Sequence, residues 1–370
     1  MRTHRRGVVS WTCGMAGPAA LLLSGCAANP LTDSARVRPS VWHPSPSGAP
    51  GTDGRSCLHW IGMFESGGGY WSHCPIDEVD GEPTGVPIAL PLESGPSSPI
   101  TPVDLAVTVD GDVLISHVQP HGVRVFVKGN PKESFDVGLS PDDLPFGVAA
   151  DPSGRKGYVV TYSTKDGGTC QIWSFATDAD GERTSVAEWK CHCDSATGLE
   201  IDGDRAQPSF YVGLSNARGG DLVVRVTPRA ADPKVQTVVK DRSGSKFPVY
   251  AVAHDPVRRL IHFAVSGKRA VFTAEIPTPE SGPTEIDLSQ DERDIATVLT
   301  SALVSQISYT PRRDRLVWAQ GEAESPSAIA GTLLPGGIYQ SRILAPMTST
   351  GADEFLGRLP PRAAVIWYPK

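Results

Sequence analysis

Seven cysteines and nine histidines carry most of the chemistry open to this 370-residue chain, and their spacing limits it. Cys57 and Cys74 flank a segment centred on Ser66-Gly67-Gly68-Gly69, so a hairpin there brings them roughly opposite each other. Cys170 begins one apolar run and Cys191 ends the next, around a turn near Asp178 to Gly181. These spacings predict the disulfides Cys57–Cys74 and Cys170–Cys191, with Cys193 the alternative partner of Cys170 and the spare thiol left free. Cys191-His192-Cys193-Asp194 also reads as a metal or redox site. A closed zinc site needs four ligands, however, and only Cys170 and His192 offer to complete it. His117 and His121 share the loop Ser116 to Gly122, and His59 and His73 face across the first hairpin. Any of them could bind a metal or move a proton, although a lone histidine on a β-rich scaffold more often packs.

Other catalytic signatures are missing. There is no Gly-x-Ser-x-Gly elbow, no His-Glu-x-x-His and no glycine-rich phosphate loop leading into a helix. The run Gly67 to Gly69 joins two strands and so lacks a helix N-terminus for an anion. The acids Asp151 and Asp255 each precede a proline, which marks them as turn residues. This weighs against an enzyme and predicts no cofactor.

Cys26 stands apart from the other thiols. Arg2, Arg5 and Arg6 precede an apolar segment from Gly7 to Leu23, followed by Ser24, Gly25 and Cys26. The segment is too short, and too broken by Gly14 and Pro18, for a good membrane-spanning helix. Leu23-Ser24-Gly25-Cys26 resembles the lipobox of bacterial lipoprotein signal peptides. That resemblance implies removal of residues 1–25 and lipidation of Cys26 with several fatty acyl chains, palmitate among them, which would anchor the protein firmly. It implies a cell-envelope location in an oxidising compartment, where disulfides persist. Ala27 follows the cysteine, so an aspartate retention signal is missing at that position, which favours the outer membrane in a diderm organism. Arg5-Arg6-Gly7-Val8-Val9 also resembles part of a twin-arginine signal, leaving the export route open.

Residues 26–56 hold Pro30, Pro39, Pro44, Pro46 and Pro50 among Ser, Gly and Ala, which reads as a disordered tether. Cleavage removes three arginines and no acid, taking the formal net charge from −7 to −10. Such an acidic chain lacks the footprint of a nucleic-acid binder, and its membrane partner would be reached through lipid rather than charge.

The elements that would position these residues repeat. An apolar strand, a turn rich in Asp, Pro and Gly, then a second apolar strand recur around Asp110, Asp151, Asp202, Asp255 and Thr310, at intervals of 41 to 55 residues. Two further strand-like runs follow in each unit, such as Gln171 to Phe175 and Ser185 to Trp189. Four short strands per unit predict an all-β fold, a β-propeller with four-stranded blades. The expected blades are 57–92 completed by 363–369, then 103–139, 146–191, 196–240, 249–288 and 303–358. That makes six, or seven if 320–358 hides extra strands. The first blade shares N- and C-terminal strands, which hides both sheet edges. A two-sheet sandwich is the competing architecture, and it accounts poorly for the regular period. The domain boundaries are then 1–25 signal peptide, 26–56 lipidated tether and 57–370 propeller.

The periodicity over 57–370 resembles six-bladed propellers of the NHL and YWTD type and the gluconolactonase and regucalcin-like group. The latter group implies a divalent cation held on the propeller axis by Glu, Asn and Asp. Asp104, Asp194 and Glu200 occupy positions that could supply such ligands, and turn or strand-entry acids are their simpler reading. Asparagine is scarce beyond the tether, where only Asn130 and Asn216 occur, neither on an inner strand. The expectation is therefore a non-catalytic, monomeric, lipid-anchored propeller without a metal, binding an envelope protein or a glycan. A metal-dependent lactonase-like hydrolase is the alternative.

Overall fold

The computed structural model describes residues 57–63, 69–75 and 88–90, and 101–300 apart from 119, 153, 164, 166, 167, 179–181, 203–207, 230, 231 and 279. It continues with 303–310, 315–320, 323–324, 333–334, 337–345, 348–349, 354–357 and 363–367. The expected signal peptide, Cys26 and the tether lie outside these residues.

The structure is all-β, with its sheets in a propeller-like arrangement. The middle strands show why. Ser209–Ser215 is buried at all seven positions and Leu260–Val265 at all six. A strand buried on both faces must sit in a sheet covered on both sides. The outer strand Arg183–Lys190 instead alternates largely toward solvent. β-Branched and aromatic residues dominate these runs, as in Gly157 to Tyr162, and they suit a pleated surface packed from both sides.

Successive sheets stack in chain order through apolar layers. Ile61 and Trp71 of the first sheet meet Leu105, Val113 and Phe126 of the second. Val125 and Val137 of the second meet Val159 and Phe175 of the third. Tyr158 of the third meets Phe210 of the next edge to face, ring centres 5.0 Å apart. Tyr211 and Val223 then pack on Ile261 and Phe263, and Ala264 and Val271 on Leu316 and Trp318. Each fully buried large side chain contributes about 1.5–3 kcal/mol.

The first sheet includes the chain's last described strand. Ala363–Trp367 pairs antiparallel with Cys57–Met63, Val365 opposite His59. The innermost strands Thr101–Val107, Asp143–Ala150, Ser195–Asp202, Val249–Asp255 and Val304–Thr310 each pack on the next, and Ala363–Trp367 packs on Val304–Thr310 and Thr101–Val107.

Two expectations about sheet membership change. The stretch to 288 was expected to close the blade beginning at 249. Thr284–Ile286 instead adds parallel to Lys234–Asp241, as a fifth strand on the preceding sheet. Asp241 draws it there: its buried carboxylate accepts from the Leu288 N–H at 3.1 Å, and the Leu288 side chain is buried in the same layer. Val298–Leu299 supplies the fourth strand of the 249 sheet. In 320–358, Gly337–Ala345 joins the 304 sheet and Ala323–Glu324 pairs with Leu333–Leu334. Among the described residues no helix is long and apolar enough to cross a membrane.

Candidate functional site

The innermost strands share an irregularity that places the most unusual side chains. Five of the six have a register shift at a corresponding point of the repeat, Pro102/Asp104, Pro145/Val148, Thr197/Leu199, Val249/Ala251 and Val304/Gln306, while Ala363–Trp367 pairs without one. A bulge bends the strand and releases backbone groups from the ladder. Two glycines permit the close approach this creates. A Cβ on Gly147 would lie 2.4 Å from the Gly198 carbonyl carbon, and Gly198 itself adopts φ +66°, where glycine is at no disadvantage.

Asp104 sits directly after its bulge and is buried. Its Oδ2 accepts from the Val148 N–H at 2.9 Å. Its Oδ1 accepts from the Leu105 N–H at 2.8 Å and from Gln306 Nε2 at 2.9 Å. Gln306 directly follows the corresponding bulge of its own strand, so two equivalent positions of the repeat meet. The Asp104 N–H donates to Ser116 Oγ, which donates to the Phe146 carbonyl. Burial pushes the Asp104 carboxyl up to about 6 while the three donors oppose the rise.

Glu200, on Ser195–Asp202, keeps some solvent contact, yet surrounding protein pushes its carboxyl up to about 8. Burial is the larger cause, and the negative charge of Asp104 adds to it. The two acids therefore share one electrostatic environment but not one supply of donors. Near neutral pH the arrangement holds Asp104 as the anion and Glu200 as the neutral acid.

This donor set does not fit the axial cation implied by the lactonase-like resemblance. Three N–H groups already aim at the Asp104 oxygens, and a cation would have to compete with them. Asp194, the third expected ligand, is exposed; it accepts from Asn216 Nδ2 at 2.7 Å, in a contact between two loops. The structure thus brings Asp104 and Glu200 into electrostatic reach and leaves Asp194 in a loop contact.

One of the two expected disulfides is replaced by another. Cys191 is joined to Cys193, and Cys170 is a buried free thiol. The expected Cys170–Cys191 bond is not the one present: Cys170 lies directly opposite Trp189, Cys191 falls just beyond the end of the ladder, and its sulfur is taken by Cys193. The sulfurs of Cys170, Cys191 and Cys193 nevertheless all lie within 4.8 Å of one another. Backbone register places Cys74 opposite Leu58 and Cys57 opposite Pro75. The side chains of that pair lie outside the described residues.

His59 and His117 pack, and His121 is half-buried. His117 is buried, with Nδ1 2.7 Å from the Pro120 carbonyl and Nε2 3.5 Å from Asp136, which also pairs with Arg124. His121 Nδ1 lies 3.4 Å from the Ser140 carbonyl. His59 accepts from Trp71 Nε1 at 3.3 Å and stacks on its ring; backbone register sets it opposite His73. Asp255 serves its turn, accepting from the Val257 and Arg258 N–H groups.

No family model matches the chain, and no curated protein matches it. Solved structures do. A chain of the nidogen/laminin complex matches with TM-score 0.56 over 85% of this chain and 98% of its own, at 11% identity. TolB from Acinetobacter baumannii matches with TM-score 0.51 over 85% and 67%, at 13% identity. A protein of unknown function from Bacteroides caccae matches with TM-score 0.52 over 85% and 99%, at 9% identity. The likeness supports a β-propeller. At these identities it speaks for the fold alone.

One end of the sheets is a knitted rim. The Arg218 N–H donates to the His192 carbonyl at 2.8 Å, and the Cys191 N–H to the Gly168 carbonyl at 3.2 Å. Lys165 pairs with Asp142, Arg242 with Asp287, and Lys268 Nζ donates to the Gln290 carbonyl. The first three contacts each tie a loop joining the second and third strands to the segment that enters an innermost strand, and the last two tie Arg242 and Lys268 to the segment that follows Thr284–Ile286. Exposed side chains of both charges line this end, among them His192, Asp194, Lys165 and Asp291.

Proposed function

We propose that the chain is a lipid-anchored cell-envelope protein whose six-bladed β-propeller binds an envelope protein or glycan without catalysing a reaction. The observation that carries this reading is the knitted rim, where hydrogen-bonded loops of both charges form a rigid polar surface suited to a partner. The six innermost strands packed in sequence support the blade count, with the terminal strands sharing a blade. Leu23-Ser24-Gly25-Cys26 supports the anchor and the boundary at 25, and the Pro-, Ser- and Gly-rich composition of 26–56 supports the boundary at 56. The nidogen/laminin structure, a complex of two proteins, is in keeping with a propeller that binds protein. An oxidising envelope would also accommodate the Cys57–Cys74 disulfide.

The test uses the full chain in a bacterial host. Radiolabelled palmitate should enter the protein and fail to enter Cys26→Ala, which should leave the membrane fraction. In-cell crosslinking through the rim positions Arg218 and Lys268 should trap one envelope component reproducibly. Labelling that survives Cys26→Ala would overturn the anchor. A rim that crosslinks nothing, together with calcium-dependent lactone hydrolysis abolished by Glu200→Gln, would replace the binding reading with the hydrolase.

A further inference from the structure

The loop disulfide and the thiol beside it are the chemistry the proposed function leaves unused. We propose that Cys170, Cys191 and Cys193 form a thiol–disulfide exchange site, in which the disulfide moves between Cys191–Cys193 and a bond that joins Cys170 to this loop.

Three observations carry this. All three sulfurs lie within 4.8 Å of one another, close enough for attack after a rotamer change. All three residues are buried in one apolar cluster with Tyr162, Trp189 and Phe210. The backbone holds the two segments together: the Cys191 N–H donates to the Gly168 carbonyl, and the Tyr162 hydroxyl donates to the Cys193 carbonyl at 3.0 Å. Cys191 is thereby kept beside the start of the strand that carries Cys170.

The step balances without any outside oxidant or reductant. The Cys170 sulfur loses its proton and attacks Sγ of Cys191; the Cys191–Cys193 bond breaks, its electron pair leaves on Cys193, and Cys193 takes up a proton. One disulfide and one thiol exist before and after. Attack on Cys193 is the mirror step and releases Cys191. Burial raises the Cys170 thiol, so exchange is slow and each pairing persists once formed. The first pairing closes a tight ring within the loop. The second staples the strand Thr169–Ala176 to the loop and frees one end of the Cys191–Asp194 segment at the rim. A metal held by three thiolates is the competing use of the same atoms. It would bury net negative charge in an apolar cluster, whereas a disulfide with a protonated thiol is neutral.

The experiment maps linkages in the full-length protein. Acid-quenched, alkylated protein is digested with trypsin without reduction. Cleavage after Lys165, Arg183, Lys190 and Arg205 puts Cys170 in peptide 166–183 and both loop cysteines in peptide 191–205. Before exchange, 191–205 should carry its internal disulfide and 166–183 an alkylated Cys170. After incubation with a trace of glutathione, the 166–183/191–205 crosslink should rise about tenfold or more, as expected when a catalytic thiol opens a slow exchange. Cys170→Ser should abolish the crosslink, and Cys193→Ser should oxidise to the Cys170–Cys191 crosslink at native thermal stability. The proposal is overturned if Cys193→Ser stays folded with both remaining thiols alkylated after oxidation. It is also overturned if the reduced wild type retains stoichiometric zinc or copper that shields all three cysteines from alkylation.

Discussion

Glu200→Gln tests the account of the carboxyl pair most directly. Glutamine keeps the size of the side chain and removes its charge. Surrounding protein and the Asp104 charge raise the Glu200 carboxyl from an ordinary 4.5 to about 8. A carboxyl raised on folding binds its proton more tightly in the native state, so stability falls as pH climbs from the unfolded value toward the folded one. The loss begins near pH 4.5 and is complete above about pH 8. At ~1.4 kcal/mol per pKa unit the upper bound is about 5 kcal/mol, and contact with solvent reduces the expected figure to roughly 2 kcal/mol. Glu200→Gln should therefore stabilise the protein by about 2 kcal/mol at pH 9 and by under about 1 kcal/mol at pH 5. The assay is urea unfolding of both proteins at the two pH values, followed by tryptophan fluorescence. An equal effect at both pH values, or destabilisation at pH 9, would refute the assignment of Glu200 as the neutral partner.

Three further outcomes follow from the same geometry. Asp104→Asn should destabilise by about 1–3 kcal/mol near pH 7, because an amide cannot accept from the Val148, Leu105 and Gln306 donors together; urea denaturation measures it, and a neutral result would show that these bonds do not hold the strands. Phe210→Ala should cost about 3–5 kcal/mol by emptying the layer against Tyr158, read as a lowered midpoint with an unchanged slope. Gly198→Ala should cost about 1–2 kcal/mol, since φ +66° disfavours a side chain and the added Cβ would sit 3.0 Å from the Val252 nitrogen; a thermal melt no lower than wild type would contradict the bulge geometry.

Much of the architecture was legible in the chain itself. Turn residues such as Asp151 and Asp255 mark where strands end because their side chains and following prolines favour turns locally. Runs such as Leu260 to Val265 announce strands buried on both faces, and such strands demand stacked sheets. The repeat itself, with one strand missing from the first unit, placed the terminal strand Ala363–Trp367 as a partner for the first hairpin. The site was legible only in part. Asp104 and Glu200 stood out as acids on innermost strands, but Gln306 did not, because its contact with Asp104 spans 202 residues. Nothing local indicates the bulges that turn Gln306 and the Val148 N–H toward that carboxylate, since a register shift depends on the partner strand. The cysteine pairing escaped for the same reason: opposition across a hairpin is a matter of one residue, and Trp189 rather than Cys191 faces Cys170. Alternation, turn chemistry and spacing are properties of neighbours along the chain, and they determined the strands and their repetition. The shared environment of the two carboxyls, the approach of Cys170 to the Cys191–Cys193 loop and the transfer of Thr284–Ile286 to the preceding sheet depend on distances between remote segments, and only the tertiary structure decided them.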